Sequence, residues 1–377
     1  MKSVLYLDHN ATTAVKPSVA DAVTEAMGVV GNASSVHGPG RAVRRIIENA
    51  RDKIAVAVNA RPERVIFTAS GTEANNMALQ NRTGERVLVS AVEHPSVRNV
   101  VDHDVITVDG QGRAKVDGLS EKLLELDKPA LVSVMLANNE TGVIQPVKDI
   151  VRIAKSSGAM VHCDAVQGFG KMDVNMVDLG VDMLTLSAHK IGGPQGVGAL
   201  VLAPGVEIKP LIKGGGQEHR LRAGTENVPG IAGFGEAAAL AARELAEFAK
   251  LARLRDQLEE EIYRIAGIKA YGKDALRIVN TSYLSMPGVS AETQTMAFDL
   301  EGIAVSSGSA CSSGKVETSH VLKAMGVPDA GASSAVRVSL GWTTTQQDIE
   351  RFTSVWKSIY NRLGQQQNSA RDLAEAV

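Results

Sequence analysis

Hydrophobic runs rich in β-branched residues alternate with amphipathic stretches over the first half of the chain. The runs predict strands at Arg64–Ala69, Arg86–Ala91, Ala130–Leu136, Ala159–Ala165, Asp182–Ala188 and Gly198–Ala203. Helical spacing between them is found at Thr72–Arg82, Val116–Leu126 and Pro146–Gly158. Because several runs are apolar at nearly every position, we expect strands that are covered on both faces. The alternation therefore predicts an open α/β sheet, mostly parallel, with helices on both faces.

The pattern changes after Gly230. A long helical run at Gly233–Gly267 is expected to connect two domains, with a break somewhere within it. Beyond it, the pattern predicts strands near Arg277–Met286, Gly302–Gly308 and Ala335–Gly341, and helices near Ala291–Leu300, Val316–Met325 and Thr345–Leu363. We predict a large domain at residues 15–255, and a smaller α+β domain formed by residues 1–14 and 256–377.

Composition narrows the function classes. The chain has 377 residues, and its net charge of 40 − 42 = −2 gives no reason to expect a nucleic acid or an anionic membrane as partner. No apolar run reaches the ~18 residues of a membrane span, and the N-terminus lacks a secretory pattern, so we expect a cytoplasmic protein. The two cysteines, Cys163 and Cys311, form no disulfide framework, and no His/Cys cluster has the spacing of a metal site.

Polar residues that carry chemistry follow the predicted strands where they end. Gly71 and Thr72 open a helix after the first strand, a place that suits a phosphate, although any turn between a strand and a helix looks the same. His94 follows the second strand, where it could stack on a ring and move protons or could equally be a surface-loop histidine. Asn139 follows the third strand, where it could hold a polar ring substituent or could equally form a turn. Since parallel strands end at one edge of the sheet, we expect these side chains to meet there.

Two further strand ends carry charged groups. Asp164 ends an apolar strand, where a carboxylate is costly without a cationic partner, and Gln167 follows closely. Lys190 comes after the next strand, flanked by Ser187 and His189; a desolvated lysine there can form a Schiff base, although a solvated loop lysine would look the same. The order of a phosphate turn, a histidine, an aspartate and a lysine at successive strand ends suits pyridoxal 5'-phosphate.

The chain resembles the cysteine desulfurases of the NifS/IscS type, class V aminotransferase-like enzymes of fold-type I. The resemblance rests on "YLDHNATT", "SGTEANN", "EHPS", "NNETG", "CDAVQ", "SAHKIGGPQGVGAL", "GGGQEHRLRAGTENVPGIAGFGEA", "SSGSACSSG" and "VRVSLG", in family order over nearly the whole chain. It implies a large domain with a mostly parallel sheet flanked by helices, and a smaller α+β domain at the C-terminus.

The resemblance also implies roles toward the cofactor. Lys190 matches the lysine that carries pyridoxal phosphate, Asp164 the partner of its ring nitrogen, and Gln167 the partner of its ring oxygen. His94 would stack on the ring and move protons. Further cofactor contacts are implied for Gly71, Thr72, Asn139, Ser187 and His189. Thr225 matches a residue that reaches the phosphate of the other subunit, which implies a homodimer.

Substrate and partners follow from the same resemblance. Arg337 would grip the carboxylate of L-cysteine, beside Asn139. Cys311 would attack the substrate sulfur as a thiolate and keep it as a persulfide, for transfer to a sulfur acceptor or an iron–sulfur scaffold protein. Small residues surround Cys311, as expected of a mobile carrier loop, and Cys163 in its apolar strand is expected to be structural.

Other interpretations of the same residues stay open. A selenocysteine lyase, an aminotransferase or a kynureninase-like hydrolase would keep the cofactor residues, without needing a mobile cysteine. A sulfur-transfer scaffold without catalysis would keep only the fold.

Overall fold

The computed structural model describes residues 4–81, 86–124, 130–307 and 318–364. The strands in these ranges are β1 (Leu5–Tyr6), β2 (Val65–Thr68), β3 (Arg86–Ser90), β4 (Asp104–Ile106), β5 (Ala130–Met135), β6 (Met160–Asp164), β7 (Met183–Ser187), β8 (Gly198–Leu202), β9 (Thr281–Ser285), β10 (Ile303–Ala304) and β11 (Ala335–Ser339). The helices are α1 (Pro17–Met27), α2 (Gly38–Ala57), α3 (Gly71–Gln80), α4 (Pro95–Arg98), α5 (Leu119–Leu124), α6 (Val147–Ser156), α7 (Met176–Leu179), α8 (Val228–Arg243), α9 (Leu245–Ala249), α10 (Leu251–Ala266), α11 (Ala291–Leu300), α12 (His320–Ala324), α13 (Asp329–Ala332) and α14 (Gln346–Ile359).

The central sheet has the strand order β2-β8-β7-β6-β5-β3-β4. Strand β8 runs antiparallel to both of its neighbours, and the other pairs are parallel. Each predicted strand of the first half is present, which confirms the mostly parallel α/β sheet. The edge strand β4 was not predicted; it is short and only partly buried.

Helices cover both faces of this sheet. On one face, α2, α6 and α8 pack Ile47, Ile150 and Phe234 into a large apolar cluster with alternate strand residues. On the other face, α3 contributes Met77 to a second cluster with Ile66. Alternate residues of each strand therefore feed opposite clusters, as double coverage requires. Helices α1 and α2 are absent from the sequence prediction, although α2 has the helical spacing of Val43, Ile47 and Ile54.

The C-terminal region forms its own apolar cluster. It includes the stacked pair of Phe298 and Phe352, whose ring centroids lie 5.2 Å apart. Leu5 and Leu7 of the N-terminal segment join this cluster, because β1 pairs in parallel with β10. Strands β9 and β11 form an antiparallel pair beside it. The limits drawn between the two domains stay a prediction.

The long helical run is broken, as expected. Helix α8 ends at Arg243, and α10 begins at Leu251 after the short α9. The predicted strand at 302–308 is shorter in the structure, where β10 ends at Ala304 and Gly308 lies outside the described residues. Among the described residues, we find no helix with the length and apolar character needed to cross a membrane.

Candidate active site

A cavity of about 320 Å³ opens at the carboxyl ends of the central strands. Most of the residues predicted from strand ends, and Arg337 of β11, line it together: Gly71, Thr72, His94, Asn139, Asp164, Gln167, Ser187, His189, Lys190 and Arg337. The topology accounts for this meeting, since parallel strands β5, β6 and β7 deliver their C-terminal residues to one edge. The cavity therefore brings a lysine, a carboxylate, an imidazole and a guanidinium within one small volume.

Lys190 ends a short 3-10 turn that follows β7. Its Nζ donates to the backbone carbonyls of Asn10, at 2.6 Å, and of Ala11, at 2.7 Å. These carbonyls belong to the N-terminal segment, which crosses from the C-terminal cluster to the cavity. The side chain is thus held in place by backbone acceptors that lie far away in sequence.

Asp164 closes β6 and is 5% exposed. One carboxylate oxygen accepts from Asn75 Nδ2 at 2.8 Å, and the other from the backbone N–H of Val166 at 3.0 Å. Both donors are neutral, so the carboxylate has hydrogen bonds but no cation among them. A ligand that brings a protonated ring nitrogen into the cavity would supply the missing positive charge.

His94 caps the short helix α4, and its Nδ1 accepts from the backbone N–H of Ser96 at 3.1 Å. That bond places the proton of the neutral ring on Nε2. Burial lowers the pKa of His94 below its usual 6.5, helped by the cations Lys190 and Arg337 and opposed by Asp164. The imidazole is therefore neutral at neutral pH and able to accept a proton.

The first turn of α3 borders the cavity. Ser70 caps the helix by accepting from Glu73 N–H at 3.1 Å. The next residue, Gly71, is tightly enclosed, since a Cβ there would lie 3.0 Å from Val166 Cγ2. Nearby, His189 Nδ1 is buried without a hydrogen-bond partner in the part of the chain that the structure describes. Burial, followed by Lys190 and Lys171, lowers the pKa of His189 to about 4, so its ring is neutral.

Arg337 lies on β11 with its side chain 4% exposed. Its Nη2 forms an ion pair with Asp8 Oδ1 at 2.7 Å, and Nη1 donates to the carbonyl of Asn139 at 2.9 Å. The remaining Nε is buried, and no described residue accepts a hydrogen bond from it. The guanidinium is thus oriented from two sides and keeps a donor for an anionic ligand.

These observations fit pyridoxal phosphate. The N–H groups at the start of α3 and the unpartnered nitrogen of His189 suit its phosphate. Asp164 suits a protonated ring nitrogen, and Lys190 suits a Schiff base. The unpartnered Nε of Arg337 suits the carboxylate of an amino acid bound beside the cofactor.

One predicted residue among those that the structure describes, Thr225, does not line the cavity. Thr225 is exposed and is not among the described lining residues, so its expected contact with a second subunit is neither made nor excluded by a single chain. Cys311 and its expected carrier loop lie outside the described residues. The other cysteine, Cys163, is fully buried in β6, and burial raises the pKa of its thiol well above the usual value. A thiol in that state is unreactive, in line with the structural role predicted for it.

Residues at the site that were not assigned a role include Asn10, Asp8 and Lys171. Asn10 is 1% exposed, and its side chain donates to Thr281 Oγ1 at 2.8 Å and to the carbonyl of Asn139 at 3.2 Å. Asn10 and Asp8 fall in the family-like segment "YLDHNATT", which was their only sequence signal. Lys171 had none beyond being a charged residue after an apolar strand.

Comparison with known proteins agrees with this geometry. The model of the family Aminotransferase class-V matches residues 5–352. The cysteine desulfurase IscS of Dictyoglomus turgidum is 41% identical over 380 residues, covering 96% of this chain and 96% of that protein. A NifS-like protein from Rickettsia africae has a solved structure with a TM-score of 0.90 and 38% identity, covering 95% of this chain and 99% of that one. A structure of SspA in complex with cysteine has a TM-score of 0.76 and 28% identity, covering 89% of this chain and 98% of the other.

The family model, the relatives and the solved structures agree over nearly the full chain, so the fold-type I architecture inferred from sequence is confirmed. The chain therefore belongs to the aminotransferase class-V family and, within it, to the cysteine desulfurases, which depend on pyridoxal phosphate.

Proposed function

We propose that this protein converts L-cysteine to L-alanine and leaves the sulfur as a persulfide on Cys311. The observation that carries the proposal is the single cavity that Lys190, Asp164, His94 and Arg337 share. Those four groups are a Schiff-base amine, an acid for a ring nitrogen, a neutral imidazole and a carboxylate receptor. The relatives named as cysteine desulfurases and the cysteine complex of a related structure support the choice of substrate.

The cofactor would be held by residues from several strand ends. Lys190 would carry it, Asp164 would face its ring nitrogen and Gln167 its ring oxygen, while Thr72 and His189 would hold its phosphate together with Gly71 and Ser187. When bound, pyridoxal phosphate supplies an electron sink that acidifies the substrate Cα–H bond and makes the Cβ–S bond labile.

The chain's own groups would position the substrate and move its protons. Arg337 would bind the carboxylate through a guanidinium already oriented by Asp8, with Asn139 alongside. Neutral His94 would take the proton of the substrate thiol, since burial keeps its pKa below 6.5. The amine of Lys190 would move the α-proton from one side of the substrate.

Cys311 would take the sulfur. Its thiolate attacks the sulfur of the substrate, a new S–S bond forms, and the Cβ–S bond breaks with its electron pair going to the carbon fragment. That fragment takes up protons and leaves as alanine. The sum is one cysteine and one enzyme thiol giving one alanine and one enzyme persulfide, so no external oxidant or reductant is needed.

The wider setting is also part of the proposal. We infer a homodimer in which exposed Thr225 reaches the partner's cofactor phosphate, and a cytoplasmic location. We infer two domains, with residues 1–14 and 256–377 in the smaller one. The sulfur acceptor would be a small sulfur-carrier or iron–sulfur scaffold protein, which the name of the IscS relative supports.

Mass spectrometry after brief exposure of the holoenzyme to L-cysteine tests the proposal. A sulfur atom added to the Cys311 peptide, with an equal amount of alanine, is the expected result. The Cys163→Ala variant is the matched control, because that buried thiol should not change the outcome. Sulfide release by Cys311→Ala at the wild-type rate, without added thiol, would instead support a lyase or another enzyme of this fold. A preparation that stays colourless with added pyridoxal phosphate, and gives no borohydride-trapped adduct on Lys190, would support a non-catalytic scaffold.

A further inference from the structure

A second lysine lies behind the cavity. Lys171 follows β6 by seven positions and is 6% exposed, which is rare for a lysine. Its Nζ donates to Gln167 Oε1 at 2.5 Å and to Asn10 Oδ1 at 2.7 Å. Neither partner is a carboxylate, so the burial of this amine is not offset by an ion pair with any described residue.

The two hydrogen bonds fix the orientation of the Gln167 amide. A lysine amine bonded to two oxygens donates to both, so Oε1 of Gln167 faces Lys171. At the other end, Nε2 of Gln167 donates to the backbone carbonyl of Asn10 at 2.9 Å, which can only accept. The amide therefore cannot turn over, and since Nε2 carries two hydrogens, one N–H remains to be donated into the cavity that Gln167 lines.

Lys171 does not line the main cavity, where the substrate would bind. Gln167 lines the main cavity, whereas Lys171 lines a separate cavity of about 280 Å³ behind it, with His9 and Phe248. Lys190 lines both. Lys171 is thus placed to act on the cofactor site through Gln167 and Asn10, without touching the substrate.

We propose that Lys171 is a positioning residue that holds Gln167 as a hydrogen-bond donor toward the ring oxygen of the cofactor. This inference rests on the proposed function. Burial, then the nearby cations Lys190 and Arg337, lowers the pKa of Lys171 well below its usual value, yet the hydrogen-bond pattern is the same in either charge state. A hydrogen-bond donor that points at the ring oxygen stabilises the ionised form of that oxygen. An acceptor in the same place would destabilise the ionised form.

The test is a spectrophotometric pH titration of the bound cofactor. In Lys171→Met, the midpoint of the absorbance change should move to higher pH by about one unit, which corresponds to a factor of ten, about 1.4 kcal/mol. Lys171→Arg, which keeps donors and cannot accept, should titrate within about 0.3 unit of the wild type. The matched control is Lys250→Met on the wall of the second cavity, where an exposed lysine pairs with Glu247, and it should leave the midpoint unchanged.

A double-mutant cycle separates an action through Gln167 from a direct effect of charge. If Lys171 acts through the amide, Lys171→Met combined with Gln167→Met should shift the midpoint no further than Gln167→Met alone. Additive shifts would overturn the proposal, as would a full-unit shift in a folded Lys171→Arg holoenzyme, which remains testable if Lys171→Met does not fold. A wild type that forms no coloured complex would refute the proposed function instead.

Discussion

Arg337 offers the sharpest test of substrate recognition. Its guanidinium is held by Asp8 at 2.7 Å and by the Asn139 carbonyl at 2.9 Å, which leaves the buried Nε as a donor for an incoming carboxylate. Arg337→Lys keeps the positive charge but removes the fork of donors. If the lysine ammonium forms the ion pair with Asp8, it has no second, rigidly placed donor for the substrate. At least one charge-assisted hydrogen bond to the substrate carboxylate is then lost.

Such a bond contributes about 1.5–3 kcal/mol, which converts to a loss of affinity for L-cysteine of about 10- to 150-fold. Binding is followed through the absorbance of the bound cofactor, and turnover through alanine formation. The loss should fall mainly on KM, since the carboxylate contact is made in both the ground state and the transition state.

Cysteamine, which lacks the carboxylate, makes the test specific. Wild type and Arg337→Lys should bind cysteamine equally well, because there is no carboxylate to lose. The same substitution at Arg86, which pairs with Asp104 on the surface, should leave both ligands unaffected. An equal loss for cysteine and cysteamine in Arg337→Lys would refute the assignment and indicate general damage to the site.

Three further outcomes are expected. His94→Gln should lower kcat/KM by about 10²–10⁴-fold. In the wild type, kcat/KM should fall on the acid side below pH 6.5, because the His94 ring with its lowered pKa becomes protonated there. A His94→Gln variant that keeps this fall at low pH would rule out His94 as the base. Gly341→Ala should destabilise the fold by about 1–3 kcal/mol in urea unfolding, because its Cβ would overlap the buried ring of His9; Gly38→Ala, where nothing lies within 4 Å, is the control, and equal midpoints would contradict this account. Removing residues 368–377 should leave cysteine turnover intact, and a folded dimer that has lost turnover would show that the tail contributes.

The sequence allowed prediction of the site wherever the chemistry falls at a strand end. Asp164, Lys190 and His94 could be found because a parallel sheet gathers its strand ends at one edge, so local pattern implied spatial proximity. Asn10 and Lys171 could not be found in this way. Their hydrogen bond joins residues 161 positions apart, and that between Asn10 and Thr281 joins residues 271 apart.

The same distinction applies to the fold. The strands of the central sheet are apolar runs, which the pattern of hydrophobic residues predicts. The pairing of β1 with β10 involves only two residues in each strand and depends on packing in the C-terminal cluster, so no such pattern marks it. The burial of Lys171 likewise comes from tertiary packing, and nothing in its neighbours along the chain marks it as enclosed.

The pair of carbonyls that holds Lys190 has a consequence for how the cofactor is captured. A free lysine side chain loses about 1.5–2 kcal/mol of conformational entropy when it is fixed. With Nζ already bonded to the carbonyls of Asn10 and Ala11, that entropy is lost when the chain folds and not when a ligand arrives. The N-terminal segment thus reduces the entropy that is lost when the cofactor is captured. In a chain shortened beyond Ala11, the lysine side chain would still have to be ordered at that step.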